Sequence, residues 1–255
     1  FTFDVSVWEI FMPLCWGTKM VLCSDDDIAN PQNIASLIKR HKVSCLHFVP
    51  SMLNEFINTL FEKPSINEEL NSLRLIITSG EVLQVNTVKK WYEKLKTPIK
   101  NLYGPTEASI DVTYYDTSID DDIIPIGKPI WNTSIYILDA NKNLVPIGCS
   151  GEIYLAGIGL AKGYLNKKDL TEERFVDNPF VPGEKMYKTG DLGKWTPDGN
   201  VIYIGRNDNQ LKIRGFRIEL GEIEQQILAS QAIDSVVGLA KKPPLTADYV
   251  VAFTV

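Results

Sequence analysis

The first half of the chain alternates between short strand-like runs and stretches in which apolar residues recur every three or four positions. The strand-like runs lie at 43–50, 73–80 and 99–104, and each ends at a proline or a glycine. Such runs are typical of buried strands, and the recurring pattern between them is typical of helices with one buried face. Strands that alternate with helices of about 10–15 residues predict βαβ units and a parallel sheet.

Local residues also predict where two of the helices begin. Asn30 is a favourable N-cap with Pro31 at the first helical position, and Ser51 is a candidate cap for the next helix. The opening octet FTFDVSVW is strand-like because its apolar residues nearly alternate. Asp4 then points the same way as apolar neighbours. A buried carboxylate needs a partner, which is either a protein cation or an ammonium-bearing ligand.

The sequence pattern changes from about residue 125. Short strand-like segments separated by Gly, Pro, Asn and Asp predict a small antiparallel barrel or sandwich. These segments lie at 134–139, 151–157 and 201–206. A helix is predicted over 220–230, with strand-like stretches around it, and the polar residues at 205–210 predict a domain boundary.

Length, charge and cysteine content narrow the class of protein. A chain of 255 residues forms one large domain or two unequal ones. Its net charge of −6 disfavours nucleic acid and an anionic membrane as the main partner. Four cysteines without CxxC spacing and only two histidines do not suit a zinc site. Free thiols indicate a reducing compartment, and we expect a cytoplasmic protein without a membrane helix.

The segment NLYGPTEASID, which overlaps the third strand-like run, combines three groups that a bound nucleotide needs. Gly104 lets the backbone approach a ligand, and Tyr103 offers an aromatic face. Thr106 offers a hydroxyl for phosphate, and Glu107 offers a hard oxygen ligand for Mg²⁺. A ring, a hydroxyl and a carboxylate within five residues therefore predict a nucleotide and metal site.

Three other motifs each permit two interpretations. Asp191 in YKTGDLGKW is either the turn former of a hairpin or a carboxylate that accepts two sugar hydroxyls. His47 ends an apolar strand, where a satisfied core histidine is commoner than a catalyst. The glycines of GIGLAKG fit tight turns and bulges better than a dinucleotide site, because no βαβ crossover follows them.

A charged segment, GRNDNQLKIRGFRIELGEIE, follows these motifs. By default such a segment is a solvated strand. Lys212, Arg214 and Arg217 alternate with apolar residues, so a basic edge that faces a phosphate is the alternative.

Five segments occur in an order and at a spacing that point to one family. They are FTFDVSVWEIF, NLYGPTE, GEIYLAGIGLAKGYL, YKTGDLGKW and GRNDNQLKIRGFRIELGEIE. Together they resemble the adenylation domains of nonribosomal peptide synthetases, which belong to the adenylate-forming superfamily with acyl-CoA synthetases and luciferases. The resemblance covers essentially the whole chain. It implies that the protein joins an amino acid to ATP with Mg²⁺ and then passes the acyl group to the phosphopantetheine thiol of a peptidyl carrier domain, beside other synthetase domains in a longer parent chain.

The resemblance implies a nucleotide site. The matching positions are Gly80, Asn101, Tyr103, Gly104, Thr106, Asp191, Tyr203 and Arg206. Tyr103 would lie against the adenine, and Asp191 would take the ribose hydroxyls. Thr106 would hold phosphate and Glu107 the Mg²⁺, which makes these two the implied catalytic residues. Asp208 matches the hinge on which the small C-terminal subdomain turns.

The resemblance also implies an amino-acid pocket. Asp4 matches the residue that pairs with the α-ammonium group, which would explain its burial. The other lining positions are Val5, Trp8, His47, Ile77, Ser79, Leu102, Ile110 and Asp111. Trp8 and Leu102 would keep the pocket small, and its polar residues suit a short hydroxylated side chain. The predicted substrate is L-serine, with threonine next.

The resemblance divides the chain in two. Residues 1–208 would be part of the large N-terminal subdomain, with a βαβ sheet region at 1–124 and a β-barrel region at 125–208. Residues 209–255 would be an incomplete C-terminal lid subdomain. The family's phosphate loop with its lysine, and its C-terminal lysine, are not in this sequence. We therefore expect a fragment truncated at both ends that is inactive alone.

Two alternatives stay open at the level of sequence. An acyl- or aryl-CoA synthetase of the same superfamily would offer no ammonium group for Asp4 to pair with. A non-catalytic fragment or interaction module would keep the fold, and the absent lysines favour it for this chain in isolation.

Overall fold

The computed structural model describes residues 3–208, 210–213, 215–229, 233, 235–241 and 249–254. Within these residues the chain forms seven α-helices, none of which is both long and apolar enough to cross a membrane. The helices are α1 (Ser6–Trp16), α2 (Asp25–Ala29), α3 (Pro31–His41), α4 (Pro50–Glu62), α5 (Val85–Lys94), α6 (Lys168–Arg174) and α7 (Leu220–Leu228). Two 3₁₀ helices span Pro64–Leu70 and Thr106–Ala108.

The first sheet carries the parallel strands. Its members, in spatial order, are β1 (Cys45–Phe48), β2 (Leu75–Thr78), β3 (Ile99–Tyr103), β4 (Thr113–Asp116) and β5 (Lys128–Pro129). Strands β1 to β3 are parallel, and β4 and β5 extend the sheet antiparallel. Helix α4 connects β1 to β2 and α5 connects β2 to β3, so the predicted βαβ units are confirmed. The carboxyl ends of parallel strands gather at one edge, where such sheets bind ligands.

The opening segment is a helix, and the predicted strand is wrong. Helix α1 begins at Ser6, and a helical turn already precedes it because the Val7 N–H donates to Asp4 O at 3.0 Å. The prediction relied on an alternation of apolar and polar residues over only eight positions. From there to Trp16 the apolar residues no longer alternate, as they would along a half-buried strand. Asp4 therefore lies at the start of a helix rather than in a sheet.

The predicted cap of α4 is also wrong. The helix begins at Pro50, one residue before Ser51, and no side chain of the preceding Val49 caps it. Proline suits this position because its missing N–H would have no helical partner there. The Ser51 N–H donates instead to Glu81 Oε2 at 2.9 Å, so a carboxylate from the loop after β2 serves this helix end.

The second sheet is the predicted antiparallel part. Its strands are β6 (Thr133–Leu138), β7 (Gly151–Gly157), β8 (Phe175–Asp177), β9 (Lys185–Trp195) and β10 (Val201–Arg206). They run in the order β10-β9-β7-β6, with β8 beside β9, and every pair is antiparallel. The sheet curls into a half-barrel around a core that includes Ile137, Ile153, Leu155, Tyr187 and Val201. An α/β region followed by an antiparallel half-barrel is the fold class that the sequence predicts.

The tail of the chain forms two strand pairs around α7. Strands β11 (Gln210–Ile213) and β12 (Phe216–Glu219) make a hairpin, and β13 (Val236–Lys241) pairs with β14 (Tyr249–Thr254). The predicted helix and its flanking strands are thereby confirmed. The Gly215 N–H in the hairpin turn donates to Glu81 Oε1 at 2.8 Å. Of the predicted basic edge, Arg214 and the side chains of Lys212 and Arg217 lie outside the described part. The division at residues 208 and 209 stays a prediction.

The predicted start of α3 is confirmed and gives a stability test. Asn30 Oδ1 accepts the Gln32 N–H at 3.0 Å, with Pro31 at the first helical position. We expect Asn30→Ala to lower the free energy of unfolding by about 1 kcal/mol, because that N–H loses its acceptor. Urea unfolding followed by circular dichroism measures this change. Gln32→Ala, on the exposed side of the same turn, serves as the control, and equal midpoints for the two variants would contradict the capping role.

Candidate nucleotide and amino-acid sites

A buried carboxylate, Asp191, lies where the two sheets meet. The hydroxyl of Tyr103, at the end of β3, donates to Asp191 Oδ2 at 2.5 Å. Arg206, at the end of β10, donates from Nη1 to Asp191 Oδ1 at 2.6 Å, and Asp191 itself is only 5% exposed. Burial, and then the negative charge of Asp191, raise the pKa of Tyr103 well above its usual value, so the phenol stays protonated. Three predicted site residues that lie far apart in the sequence thus meet, because Tyr103 and Arg206 both bind the carboxylate of Asp191.

A bulge in β9 places Asp191 at this point. Between paired positions β7 advances from 152 to 154 while β9 spans 188 to 192, so β9 carries extra residues. Gly190 lies in this extra length with φ +79°, and a Cβ there would come within 2.6 Å of Arg206 Nη2. Strand β9 continues on both sides of the bulge, so the interpretation of the segment as a hairpin turn is wrong.

Arg206 also binds Asp208, the predicted hinge residue. Its Nε and Nη2 donate to the two carboxylate oxygens at 2.6 and 2.7 Å, a bidentate pairing. Burial by itself would raise the pKa of Asp208, but the hydrogen bonds and charge of Arg206 outweigh it and hold that pKa below its usual value. One guanidinium therefore connects the buried carboxylate of the half-barrel to the start of the tail.

An open cleft of about 1370 Å³ runs beside this network. Its lining includes the predicted residues Gly80, Asn101, Leu102, Tyr103, Gly104, Asp191, Tyr203, Arg206 and Asp208. The rings of Tyr103 and Tyr203 have centroids 6.5 Å apart. Burial, followed by the charge of Asp191, raises the pKa of Tyr203 to about 12, so this phenol is neutral at physiological pH. Among the described residues, Thr106 and Glu107 lie outside this lining.

Asn101 borders the cleft but is engaged by the protein at both ends of its amide. Its Nδ2 donates to Pro125 O at 2.9 Å, and its Oδ1 accepts the Thr78 hydroxyl at 3.3 Å. These bonds join β2, β3 and the segment that leads to the half-barrel. The contacts of Asn101 within the chain are therefore structural.

The loop after β3 closes on itself. The Val112 N–H donates to Tyr103 O at 2.7 Å, and a Cβ on Gly104 would lie only 2.2 Å from Ile110 O. The absence of a side chain at Gly104 therefore lets the backbone at Ile110 come close, and Gly104 also lines the cleft. Ser109 and Ile110 have φ values of +67° and +80°, a left-handed backbone that branched side chains rarely adopt.

This loop exposes Thr106 and buries Glu107. The Tyr164 hydroxyl donates to Glu107 Oε1 at 2.6 Å, and the Ala161 N–H donates to Glu107 O at 2.8 Å. The glycine-containing segment 157–163 therefore packs against this loop and is hydrogen-bonded to it through Ala161. Burial, and then the hydrogen bond to Glu107, raise the pKa of Tyr164, which keeps its hydroxyl a donor.

The residues around Glu107 suit a nucleotide-bound cation. No group of three or more His, Cys, Asp or Glu side chains that could hold a metal ion is found in the described ranges. Mg²⁺ on a nucleotide requires fewer protein ligands, because phosphates and water complete its shell around one or two carboxylates. Glu107 and the neighbouring Thr106 hydroxyl offer the hard oxygen atoms that this ion takes, so they fit it.

Four of the predicted pocket residues meet at a second place. Trp8 Nε1 donates to Asp111 Oδ2 at 3.2 Å, and His47 Nε2 lies 2.9 Å from Ser79 Oγ. The rings of Trp8 and His47 pack in a T shape, with centroids 5.4 Å apart and an interplanar angle of 75°. Helix α1, strand β1, the end of β2 and the loop after β3 each supply one of these side chains. A fifth, Glu9, contacts His47 Nδ1 from 2.9 Å and was not predicted.

Asp4 lies in the turn just before α1, and one of its carboxylate oxygens lacks a hydrogen-bond donor among the described residues. Asp4 Oδ2 is buried and has no hydrogen-bond partner in the described part of the structure. A buried carboxylate oxygen without a donor is costly, so it marks a place for a cationic group. Of the remaining predicted pocket residues, Val5 and Ile77 are buried, and Leu102 and Ile110 are partly buried.

Residues 1–165 match a family model described as AMP-binding enzyme. The chain belongs to the AMP-binding enzyme family. A mycosubtilin synthase of Bacillus subtilis is 46% identical to it over 250 residues, a match that covers 94% of this chain and 10% of that protein. Enterobactin synthase component F of Escherichia coli O157:H7 is 43% identical over 242 residues, a match that covers 92% of this chain and 19% of that protein.

A solved structure agrees with this membership of the AMP-binding family. PA1221, described as a nonribosomal peptide synthetase (NRPS) protein containing adenylation and PCP domains, matches with a TM-score of 0.84 at 27% identity. The match covers 99% of this chain and 50% of that one, so the AMP-binding chain spans about half of PA1221. Together with the synthase relatives, this identifies the chain with the adenylation domains of nonribosomal peptide synthetases and confirms the resemblance of its five segments.

The closure of the loop on Gly104 can be tested by substitution. In Gly104→Ala the new methyl group would meet Ile110 O, so the loop must move, and we expect a loss of roughly 1–3 kcal/mol in the free energy of unfolding. Urea unfolding gives this value. Gly221→Ala is the matched control, because nothing lies within 4 Å of a Cβ there and the helix favours alanine. An unchanged midpoint for Gly104→Ala would refute the packing argument.

Proposed function

We propose that this AMP-binding chain forms the site at which ATP and an amino acid become an aminoacyl-adenylate and pyrophosphate. The observation that carries the amino-acid part is the buried Asp4 Oδ2 without a hydrogen-bond partner among the described residues. A cation stabilises a carboxylate in such a place, and the α-ammonium group of an amino acid supplies one. Asp4 precedes Trp8 by about one helical turn, so the ammonium group would enter beside the pocket that Trp8 borders.

ATP would occupy the cleft beside Asp191. Each oxygen of this carboxylate has two lone pairs, and the bonds from Tyr103 and Arg206 use one on each, which leaves acceptors for the ribose hydroxyls. The rings of Tyr103 and Tyr203 border the cleft and would lie against or beside the adenine. The remaining proposed nucleotide contacts are Gly80, Asn101, Gly104 and Thr106.

Glu107 would hold Mg²⁺, and Thr106 would bind a phosphate oxygen. The hydrogen bond from Tyr164 fixes Glu107 Oε1, so the carboxylate is positioned before the nucleotide arrives. When bound there, Mg²⁺ would offset the negative charge that builds up as the amino-acid carboxylate attacks the α-phosphate.

The amino acid would be L-serine, with threonine next. Trp8 limits the volume of the pocket, and the atoms at its end, Ser79 Oγ and the Asp111 carboxylate, are polar. A site built to bond a hydroxyl discriminates strongly against an analogue that lacks it, because its own polar groups are then left without a partner.

The second half of the proposed reaction is transfer of the aminoacyl group to the phosphopantetheine thiol of a peptidyl carrier domain. The similarity to PA1221, whose description includes a PCP domain, supports a carrier and other synthetase domains as partners. Asp208 would be the hinge between residues 1–208 and 209–255, and its pairing with Arg206 supports that role. The cytoplasmic location stays a prediction.

Two other functions make different predictions for Asp4. An acyl- or aryl-CoA synthetase binds an acid without an ammonium group, so it would be indifferent to the loss of this carboxylate. A non-catalytic module would bind neither substrate, and calorimetry of the 255-residue chain with ATP and with serine would then show no heat of binding.

The proposed substrate and the role of Asp4 can be tested together. Amino-acid-dependent ATP–pyrophosphate exchange by the full-length gene product, scanned over all twenty amino acids, should be highest for L-serine. We expect Asp4→Ala to lower kcat/KM for serine by at least about a hundredfold, because the ammonium group loses its buried counter-charge. The affinity of the Asp4→Ala variant for ATP, measured by calorimetry, should change little.

Asp26→Ala, on the exposed first turn of α2, is the control and should leave exchange unchanged. A preference for a bulky apolar amino acid would refute the serine pocket. Unchanged activity of Asp4→Ala would refute the ammonium contact and favour the CoA synthetase.

A further inference from the structure

A continuous chain of hydrogen bonds runs from Glu9 through His47 to Ser79. Glu9 Oε1 lies 2.9 Å from His47 Nδ1, and His47 Nε2 lies 2.9 Å from Ser79 Oγ. The Glu9 side chain is 42% exposed and the His47 side chain 8%, while Ser79 is 2% exposed. The carboxylate therefore remains partly in water, whereas the hydroxyl at the other end lies among the residues of the amino-acid pocket.

The chemistry of the three groups gives these bonds a direction. An ionised carboxylate only accepts hydrogen bonds, so the shared proton at Glu9 is carried by His47 Nδ1. In a neutral imidazole the other nitrogen, Nε2, is then an acceptor, and the Ser79 hydroxyl donates to it. Once its only proton points at His47, the Ser79 oxygen has lone pairs left for a ligand and no donor.

We propose that Glu9 is a positioning residue for specificity, which locks His47 in the Nδ1–H tautomer and thereby presents the Ser79 oxygen as a hydrogen-bond acceptor. The inference rests on the proposed function, because the ligand is the amino acid of that site. It defines the substrate class as a short side chain that donates a hydrogen bond. The Asp111 carboxylate, an acceptor from a different element, reinforces the same selection.

Helix α1 restrains the histidine from two adjacent positions. Glu9 holds the Nδ1 side of the ring, and Trp8 packs against the ring in a T-shaped pair at a centroid distance of 5.4 Å. The ring is thus fixed in position by packing and in tautomer by the carboxylate. Loss of Glu9 would leave the position largely set by Trp8 and release the tautomer.

A carboxylate, an imidazole and a hydroxyl in this order also activate nucleophilic serines. That role requires the Ser79 oxygen to attack an acyl or phosphoryl centre, whereas the positioning role requires only that it accept a hydrogen bond from the substrate. Covalent labelling of Ser79 by a fluorophosphonate, located by mass spectrometry, would overturn the positioning role in favour of a nucleophile. An unlabelled Ser79 supports the positioning role.

The tautomer can be observed directly, because the chain has only two histidines. Long-range ¹H–¹⁵N correlation spectra of the 255-residue chain at neutral pH report which ring nitrogens carry a proton. His41→Gln removes the other histidine, which is exposed at the end of α3, and so assigns the signals of His47. We expect His47 to show a protonated Nδ1 and an unprotonated Nε2. A protonated Nε2, in either the other tautomer or an imidazolium, would overturn the proposal.

Two substitutions at Glu9 separate positioning from simple packing. In Glu9→Gln the amide oxygen can still accept from Nδ1, so the tautomer and the activity should be retained. In Glu9→Ala the signals of His47 should shift towards Nε2–H. The KM for serine in ATP–pyrophosphate exchange by the full-length gene product should then rise by roughly tenfold, the effect of about one hydrogen bond, with the KM for ATP unchanged. Equal losses in both variants, or a tautomer that ignores Glu9→Ala, would refute the role.

Substrate analogues test the donor requirement separately from the identity of the substrate. In wild-type protein, 2-aminobutyrate and O-methylserine, which lack a donor, should be activated at least tenfold less well than serine. Glu9→Ala should narrow that gap. If the tautomer is as expected but another donor-bearing amino acid is preferred, the serine assignment fails and the role of Glu9 stands. If serine is preferred but the gap does not depend on Glu9, the role of Glu9 fails and the proposed function stands.

Discussion

The junction between the two sheets beside the cleft depends on the compensation of one buried charge, that of Asp191. A carboxylate with so little contact with water must be held by donors, and its two donors come from different sheets: Tyr103 from the parallel sheet and Arg206 from the half-barrel. Asp191 and Arg206 both belong to the half-barrel, so the bond from Tyr103 is the one of the two that reaches across, and moving the sheets apart would leave Asp191 Oδ2 without that donor. Together with the bonds that Ala161 and Tyr164 make to Glu107, this contact ties the half-barrel to the parallel sheet beside the cleft.

Much of the fold could be predicted from the sequence because its signals are local. The short runs that became β1 to β3 and the Asn30–Pro31 helix start each act within a few residues. Where the prediction failed, a local rule met a longer pattern. The opening octet nearly alternates, yet the apolar positions that follow it to Trp16 do not, and the whole segment from Ser6 is helical. The segment around Gly190 has turn residues yet forms a bulge inside β9.

In the candidate site, too, some residues could be predicted from the sequence and others could not. Tyr103, Asp191 and the pocket residues were found through motifs, whereas Glu9 and Tyr164 were not. Their partners are 38 and 57 positions away, and no periodicity connects such pairs. A glutamate on an exposed helix turn and a tyrosine after a glycine look ordinary until the chain has folded, because the contact exists only in three dimensions. Residues that orient other residues are therefore the part of a site that a single sequence conceals most completely.

The left-handed backbone at Ser109 and Ile110, close against Gly104, folds the loop after β3 into one compact body. Glu107 sits on one side of that body and Asp111 on the other. Only three residues of this closed turn separate Glu107 from Asp111. Under the proposed function, the two reactants would be aligned by the shape of one backbone segment rather than by two independent elements.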